Sequence, residues 1–282
     1  MTDQSPTPAE LLAARYGSDP GFDPPQWNQT LTTLLQHRSV RRWLDRPVSE
    51  DTIRTIVAAA QSASTSSNKQ IVSVVAVRDA EQKRALAEVG GPRQAAHIST
   101  APVVLVWLID TSRIRASVER ARREKPVIEY TAAEYLDEVL VGACDVGINA
   151  QNAVIAARSL GLGTCFLGSL RNDAERVGEI IGAPEHVVPF VGLEIGYADP
   201  EEPAGVKPRI PQGAYLHWDR YDADAATDVG EYDRILADYF AQYDQPGSWS
   251  AGLVSRVGPK AVKVAKRHLL RGVFERAGFS LK

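Results

Sequence analysis

The chain has 282 residues, of which 44% are hydrophobic and 24% charged, and its formal net charge is −3. That size buries a sizeable core, in one large domain or two small ones. The near-balanced charge offers no global electrostatic drive toward nucleic acid or an anionic membrane, so a small-molecule site is expected, with neither nucleic acid nor membrane as partner.

Residues 1–25 are polar and proline-bearing, without the basic segment and apolar run of a signal peptide. No stretch approaches the roughly 20 apolar residues of a membrane helix, and the expected location is cytoplasmic. Next comes the cluster His37-Arg38-Ser39-Val40-Arg41-Arg42. Arginine forks beside a serine hydroxyl suit a phosphate, although three arginines near a helix are usually a solvated surface. Ser49 predicts a helix cap, with Glu50 and Asp51 in the first turn and Ile53, Ile56, Val57 and Ala60 on the apolar face. The run Ser62-Ala63-Ser64-Thr65-Ser66-Ser67-Asn68-Lys69-Gln70 breaks both helix and strand. It reads as a polar loop that can also offer hydrogen bonds to a polar heterocycle.

Three apolar, β-branched runs bounded by breakers predict buried strands: 71–77, 103–109 and 187–197. Between the last two, residues 130–160 predict a helix whose second half is apolar or small on nearly every side. Such a helix must be covered all round, either as the central core helix of a monomer or by a second subunit. Its expected stop is Gly161. The glycine-rich run Gly161-Leu162-Gly163-Thr164-Cys165-Phe166-Leu167-Gly168-Ser169-Leu170-Arg171-Asn172 follows a helix, so it is not a dinucleotide fingerprint. Its glycines permit close approach of a ligand to backbone amides, and Arg171 stands at the mouth of a short helix predicted from about Asn172 to Gly182. Lys207-Pro208-Arg209-Ile210-Pro211 holds two cations on a stiff, extended strip. A helix over 232–243 and a basic amphipathic tail over 256–276 follow, the tail carrying Lys260, Lys263, Lys266, Arg267 and Arg271. The two cysteines, Cys144 and Cys165, stand alone with no histidine nearby, which argues for buried thiols and against a metal site. Alternating strands and helices make the class α/β or α+β.

Taken in order, HRSVRRW, STSSNKQ, GGPRQ, AQNAVIAARSLGLGTCFLGSLRN, PEHVVPFVGLEIGYA and KPRIP resemble the nitroreductase family. The branch is that of oxygen-insensitive NADPH nitroreductases and NADPH-flavin oxidoreductases. The resemblance implies an α+β fold with a central mixed sheet flanked by helices, in an intertwined homodimer with FMN at the interface. It divides the chain into an N-terminal extension (1–30), an FMN-binding core (31–215) and a C-terminal helical extension (216–282) packed on the core or the partner subunit.

Carried over position by position, His37, Arg38, Ser39 and Arg41 match the family's first FMN segment. Thr65, Ser66, Ser67 and Asn68 match the second, offered to the partner's flavin. Gln94 would meet the ring's polar edge, Gly168 and Ser169 would lie against flavin N5, and Arg171 would share the FMN phosphate with Arg38. Lys207 and Arg209 would take the 2′-phosphate of NADPH, or one of them the FMN phosphate. The segment 241–250 lacks arginines that the branch places there, so NADH stays open as reductant, and Asn68 and Lys69 replace apolar positions common in the branch. The implied activity is ping-pong transfer of hydride from a nicotinamide through flavin N5 to a nitroaromatic, quinone or flavin, with no side chain as general acid or base and no metal. Rival expectations are a relative with another reaction, such as dehalogenation or flavin supply to an oxygenase, and a non-catalytic flavin sensor.

Overall fold

A computed structural model describes residues 6–259 and 265–282, so Lys260, Lys263 and Val264 of the basic tail lie outside the described residues. The helices are α1 (Pro8–Tyr16), α2 (Gln29–Leu35), α3 (Glu50–Gln61), α4 (Ala80–Gly90), α5 (Ala95–Thr100), α6 (Ser112–Arg122), α7 (Leu136–Ser159), α8 (Ala174–Ile181), α9 (Ala223–Thr227), α10 (Gly230–Ala241) and α11 (Trp249–Val257), with a last helix over Leu270–Arg276. The strands are β1 (Val72–Val77), β2 (Val103–Asp110), β3 (Gly163–Leu167) and β4 (Val187–Gly196). Two compact units result, one of Met1–Arg38 with Pro203–Ala261, the other of Ser39–Glu202 with Val262–Lys282.

The second unit is a three-layer α+β sandwich. Its sheet runs β1-β2-β4-β3 with every strand pair antiparallel, and the parallel pairing is the single bridge from Ser39 to Thr164 beside β3. All of β2 is buried, because its alternate side chains enter two different cores. Val103, Leu105, Trp107 and Ile109 pack with Ile53, Ile56 and Ala60 of α3 and with Val146, Ala150 and Val154 of α7. Val104, Val106 and Leu108 pack with Leu86 of α4, Ile98 of α5 and Val177 of α8. Each such side chain taken out of water stabilises the unit by about 1.5–3 kcal/mol. Gly142 brings α7 down onto β2, where a Cβ would stand 2.6 Å from a methyl of Ile109.

The predicted strands and the Ser49-capped α3 form as expected, with the Ser49 hydroxyl accepting from the Thr52 amide. The glycine-rich run, which the sequence assigned to no strand, is β3 followed by a 3₁₀ turn over Gly168–Asp173. The basic tail is not one amphipathic helix: α11 ends at Val257, and Leu270–Arg276 is a separate helix.

Helix α7 corrects one expectation. It is 24 residues long and contains an 18-residue window with a mean hydropathy of 1.4, long and apolar enough by length and composition to cross a membrane. Within the subunit one side of the helix is covered and the other is not. Val139, Val146, Ala150, Ala153, Val154 and Ala157 are buried against the subunit's own sheet, while Leu140 and Ile148 are 58% and 39% exposed.

The first unit is helical. Thr7 and Glu10 form a reciprocal capping box at the start of α1, which closes at Gly17 in the left-handed region (φ 73°). A Cβ on Gly17 would fall 2.3 Å from a methyl of Ile235 on α10, so only glycine serves both the turn and the contact.

Candidate functional site

In the second unit, Gln94, Gly168, Ser169 and Arg171 come together. Gln94 stands at the start of α5, and its side-chain oxygen accepts a hydrogen bond from the buried Ser169 hydroxyl at 2.6 Å. Arg171 turns back toward β4, where Nη1 donates to the Phe190 carbonyl at 2.8 Å and the guanidinium stands 5.0 Å from the Phe190 ring centre. Arg267 of the tail joins them, donating through Nε to Asn172 at 3.0 Å and through Nη2 to the Gly168 carbonyl at 3.1 Å. Burial, and then repulsion from Arg267, lowers the proton affinity of Arg171. Neither guanidinium has a carboxylate partner among the described residues. Two like charges, one half-buried and one exposed, make a place that an anionic ligand would complete.

Ser39 and Arg41 lie along the other side of β3. Val40 donates its amide to the Thr164 carbonyl at 3.0 Å, and Gly163 admits this approach, since a Cβ there would be 2.7 Å from a Val40 methyl. The Arg41 amide donates to Glu202 at 2.8 Å.

The hydroxyl-rich loop hangs on α7. Thr65 and Ser66 are half-buried while Ser67 and Asn68 are exposed. Ser67, Asn68 and Gln70 all sit at positive φ, near 50°. Side-chain-bearing residues avoid that region, so surrounding contacts must hold it. Both oxygens of the fully buried Asp145 accept from the Ser66 amide, at 3.0 and 3.2 Å, and Lys69 pairs at 2.7 Å with Glu138, which also accepts from the Tyr130 hydroxyl. Losing a hydrogen bond to a buried charge costs about 1.5–3 kcal/mol. Asp145→Ala is therefore expected to let the loop relax, raising its amide exchange and proteolytic nicking at 66–70 while β2 stays protected. Unchanged exchange at Ser66 and Ser67 would mean that the loop holds itself.

Burial pushes the Cys165 thiol up to about 12, so it is not a nucleophile at neutral pH. Next to it, Glu194 and His97 form a buried pair, with Nδ1 2.8 Å from Oε1. Among the described residues no group of His, Cys, Asp and Glu is arranged to hold a metal.

The first unit carries His37, Arg38, Lys207 and Arg209. On the strip after Pro203, Pro208 is buried while Lys207 and Arg209 are exposed, so the two cations share its outward face. Aromatic residues of α10 hold the strip: the Tyr239 hydroxyl donates to the Gly205 carbonyl at 3.1 Å and Tyr232 to that of Pro208 at 3.2 Å. Lys207 Nζ lies 5.0 Å from the Phe240 ring centre and 5.9 Å from that of Tyr239. Burial raises the Tyr239 and Tyr232 hydroxyls, and the positive charges of Arg38 and Arg209 respectively pull against that rise. The carbonyls of His37 and Lys207 both accept from the Arg15 guanidinium, which brings the backbone leading into Arg38 beside that of the Lys207–Arg209 strip. Arg15 is buried at 6% exposure, and the sequence did not single it out although the Thr7-Pro8-Ala9-Glu10 cap announces its helix.

The nitroreductase family's sequence profile matches residues 34–92 and 90–197, and that of the nitroreductase family C-terminal domain matches 207–282. Among relatives, an NADPH-flavin oxidoreductase of Vibrio harveyi is 36% identical over 214 residues, covering 76% of this chain and 83% of its own. An NADPH-dependent oxidoreductase of Staphylococcus aureus is 34% identical over 234 residues, covering 81% and 90%. Among solved structures, B. megaterium NfrA2 superposes with a TM-score of 0.82 at 32% identity, covering 91% of this chain and all of its own. The NADPH:FMN oxidoreductase of Vibrio harveyi, solved with NAD+, gives 0.75 at 31% identity, with 90% of this chain and all of that one covered.

Proposed function

This chain belongs to the nitroreductase family, and from that membership we propose that it is an FMN-dependent oxidoreductase that takes reducing equivalents from NADPH, or NADH, and passes them to nitroaromatics, quinones or flavins. The observation that carries the reading is the corner in which Arg171 and Arg267 meet beside the Gln94–Ser169 hydrogen bond with no carboxylate among the described residues. That donor set fits a flavin, which is polar along one ring edge and gains negative charge on reduction.

When bound, FMN supplies a two-electron centre at N5 that exchanges hydride with a nicotinamide or an acceptor. The chain's own residues bind and orient. Gln94 and Ser169 would hold the ring's polar edge, with Gly168 offering backbone to it. Arg171, half-buried, would take the FMN phosphate, with the exposed Arg267 adding positive charge beside it. Ser39 and Arg41 would add donors, and Thr65, Ser66, Ser67 and Asn68 would serve the flavin of a partner subunit. His37, Arg38, Lys207 and Arg209 would meet a phosphate monoester, either that of FMN or the 2′-phosphate of NADPH. No side chain is assigned a proton transfer, and nicotinamide and acceptor would take turns in one place, giving ping-pong kinetics.

Purified protein should be yellow and release FMN on denaturation. Anaerobic mixing with NADPH should bleach the flavin band, and a nitroaromatic or quinone should restore it. A flavin that no nicotinamide bleaches would point to a sensor instead, and a chain that holds no flavin after reconstitution would end the reading.

A further inference from the structure

We propose that Arg15 is a positioning residue, which ties the backbone before Arg38 to the backbone around Arg209 so that Arg38, Lys207 and Arg209 meet one phosphate monoester. The inference rests on the proposed function, in which the chain binds FMN and a nicotinamide nucleotide. Its ground is where the Arg15 donors go. Nη2 donates to the carbonyls of Leu35 at 2.6 Å and His37 at 2.7 Å, and Nη1 to that of Lys207 at 3.0 Å. The Arg209 amide donates back to the Arg15 carbonyl at 2.7 Å. These are peptide groups of the cationic segments themselves: the His37 carbonyl belongs to the bond that leads into Arg38, and the Lys207 carbonyl to the bond that leads into Pro208 and Arg209.

Nothing local in the sequence relates the two segments, which lie about 170 residues apart. A guanidinium can join them because its fork is planar and its donors point in fixed directions, so carbonyls held by it are held at set angles. The helix that carries Arg15 is itself secured. It has a capping box at Thr7, a left-handed end at Gly17 packed on Ile235, and a hydrogen bond of 2.9 Å from Gln212 to the Tyr16 hydroxyl. Residues 8–17 thereby order in advance two cationic segments that the ligand would otherwise have to order on binding.

The test compares full-length wild type with Arg15→Met and Arg15→Lys, each freed of flavin. Every protein is titrated with FMN and with riboflavin, which lacks the phosphate, and after reconstitution with NADPH and NADH. In the Met variant one of the two preferences, FMN over riboflavin or NADPH over NADH, should fall roughly tenfold or more, with the unphosphorylated ligand unaffected. The preference that falls tells which phosphate the cluster holds. Arg15→Lys keeps the charge but not the fork, so it should show a smaller fall, and it decides the matter if the Met variant does not fold. Both preferences at their wild-type values, or all four ligands weakened by one factor as in a general loosening, would overturn the positioning role alone. Wild type that binds no flavin would overturn the underlying reading, and this proposal with it.

Discussion

Val154→Asp should unfold the subunit, whereas Ile148→Asp, six residues earlier on the same helix, should leave it folded. Val154 is 1% exposed and packs in the core formed by α3, α7 and the sheet. A carboxylate there has no cation to meet, and an unpaired buried charge costs about 3–5 kcal/mol, a large part of the 5–15 kcal/mol that keeps a domain folded. Ile148 is 39% exposed, on the strip that Leu140 also occupies. We propose that this strip is covered by a second copy of the chain, since exposed aliphatic side chains along one helix are what a homodimer buries. Light scattering should show a dimer of the wild type and a folded monomer of Ile148→Asp, and urea melts should show Val154→Asp lost. A wild type that is monomeric at micromolar concentration would remove the dimer. An Ile148→Asp dimer would move the interface elsewhere.

His97→Leu should destabilise the second unit by about 3–5 kcal/mol at neutral pH, the usual cost of removing one partner from a buried pair. Glu194 is fully buried, and its carboxylate is 2.8 and 2.9 Å from Nδ1 of His97. Burial already pushes the Glu194 carboxyl up, against the pull of His97 and then of Arg41. Without His97 the rise is larger. A carboxyl raised in the folded state favours folding below its unfolded value and loses that contribution as pH rises through the folded one. The deficit of the variant should therefore shrink toward zero on acidification into the ordinary carboxylate range and reach its full size above the raised value. Denaturation of wild type and variant across that range measures the difference, and a deficit independent of pH would mean that the loss is one of packing alone. His97 lies one turn beyond Gln94 on α5, so the variant should also loosen the Gln94–Ser169 contact.

Local signals were enough for the elements whose chemistry is local. Alternation and β-branching place β1, β2 and β4 to within about a residue, because strands buried on both faces have no other composition open to them. Ser49 and Asp173 cap their helices as their types demand. Strand β3 was not legible, since Gly161, Gly163 and Gly168 break up a run too short for Thr164 and Phe166 to mark it, and it forms because β4 offers a free edge. The family and the segments suited to meeting ligands were legible from residue types in order along the chain, which are one-dimensional facts.

What only the tertiary structure decided is which of those residues share a neighbourhood and what holds them there. The sequence put Arg267 in a basic amphipathic tail with no partner named, and the fold docks it on Gly168 and Asn172. It showed a helix with no polar side, and the fold uses Asp145 and Glu138 of that helix to hold the loop at 66–69. Arg15 drew no notice in a polar N-terminal segment, and the fold buries it on the backbone of segments about 20 and 190 residues away. In each case the partner is a backbone amide, a carbonyl or a charge distant in the chain. Side-chain type states which bonds a residue can make, but only the packed chain settles which partner is within 3 Å.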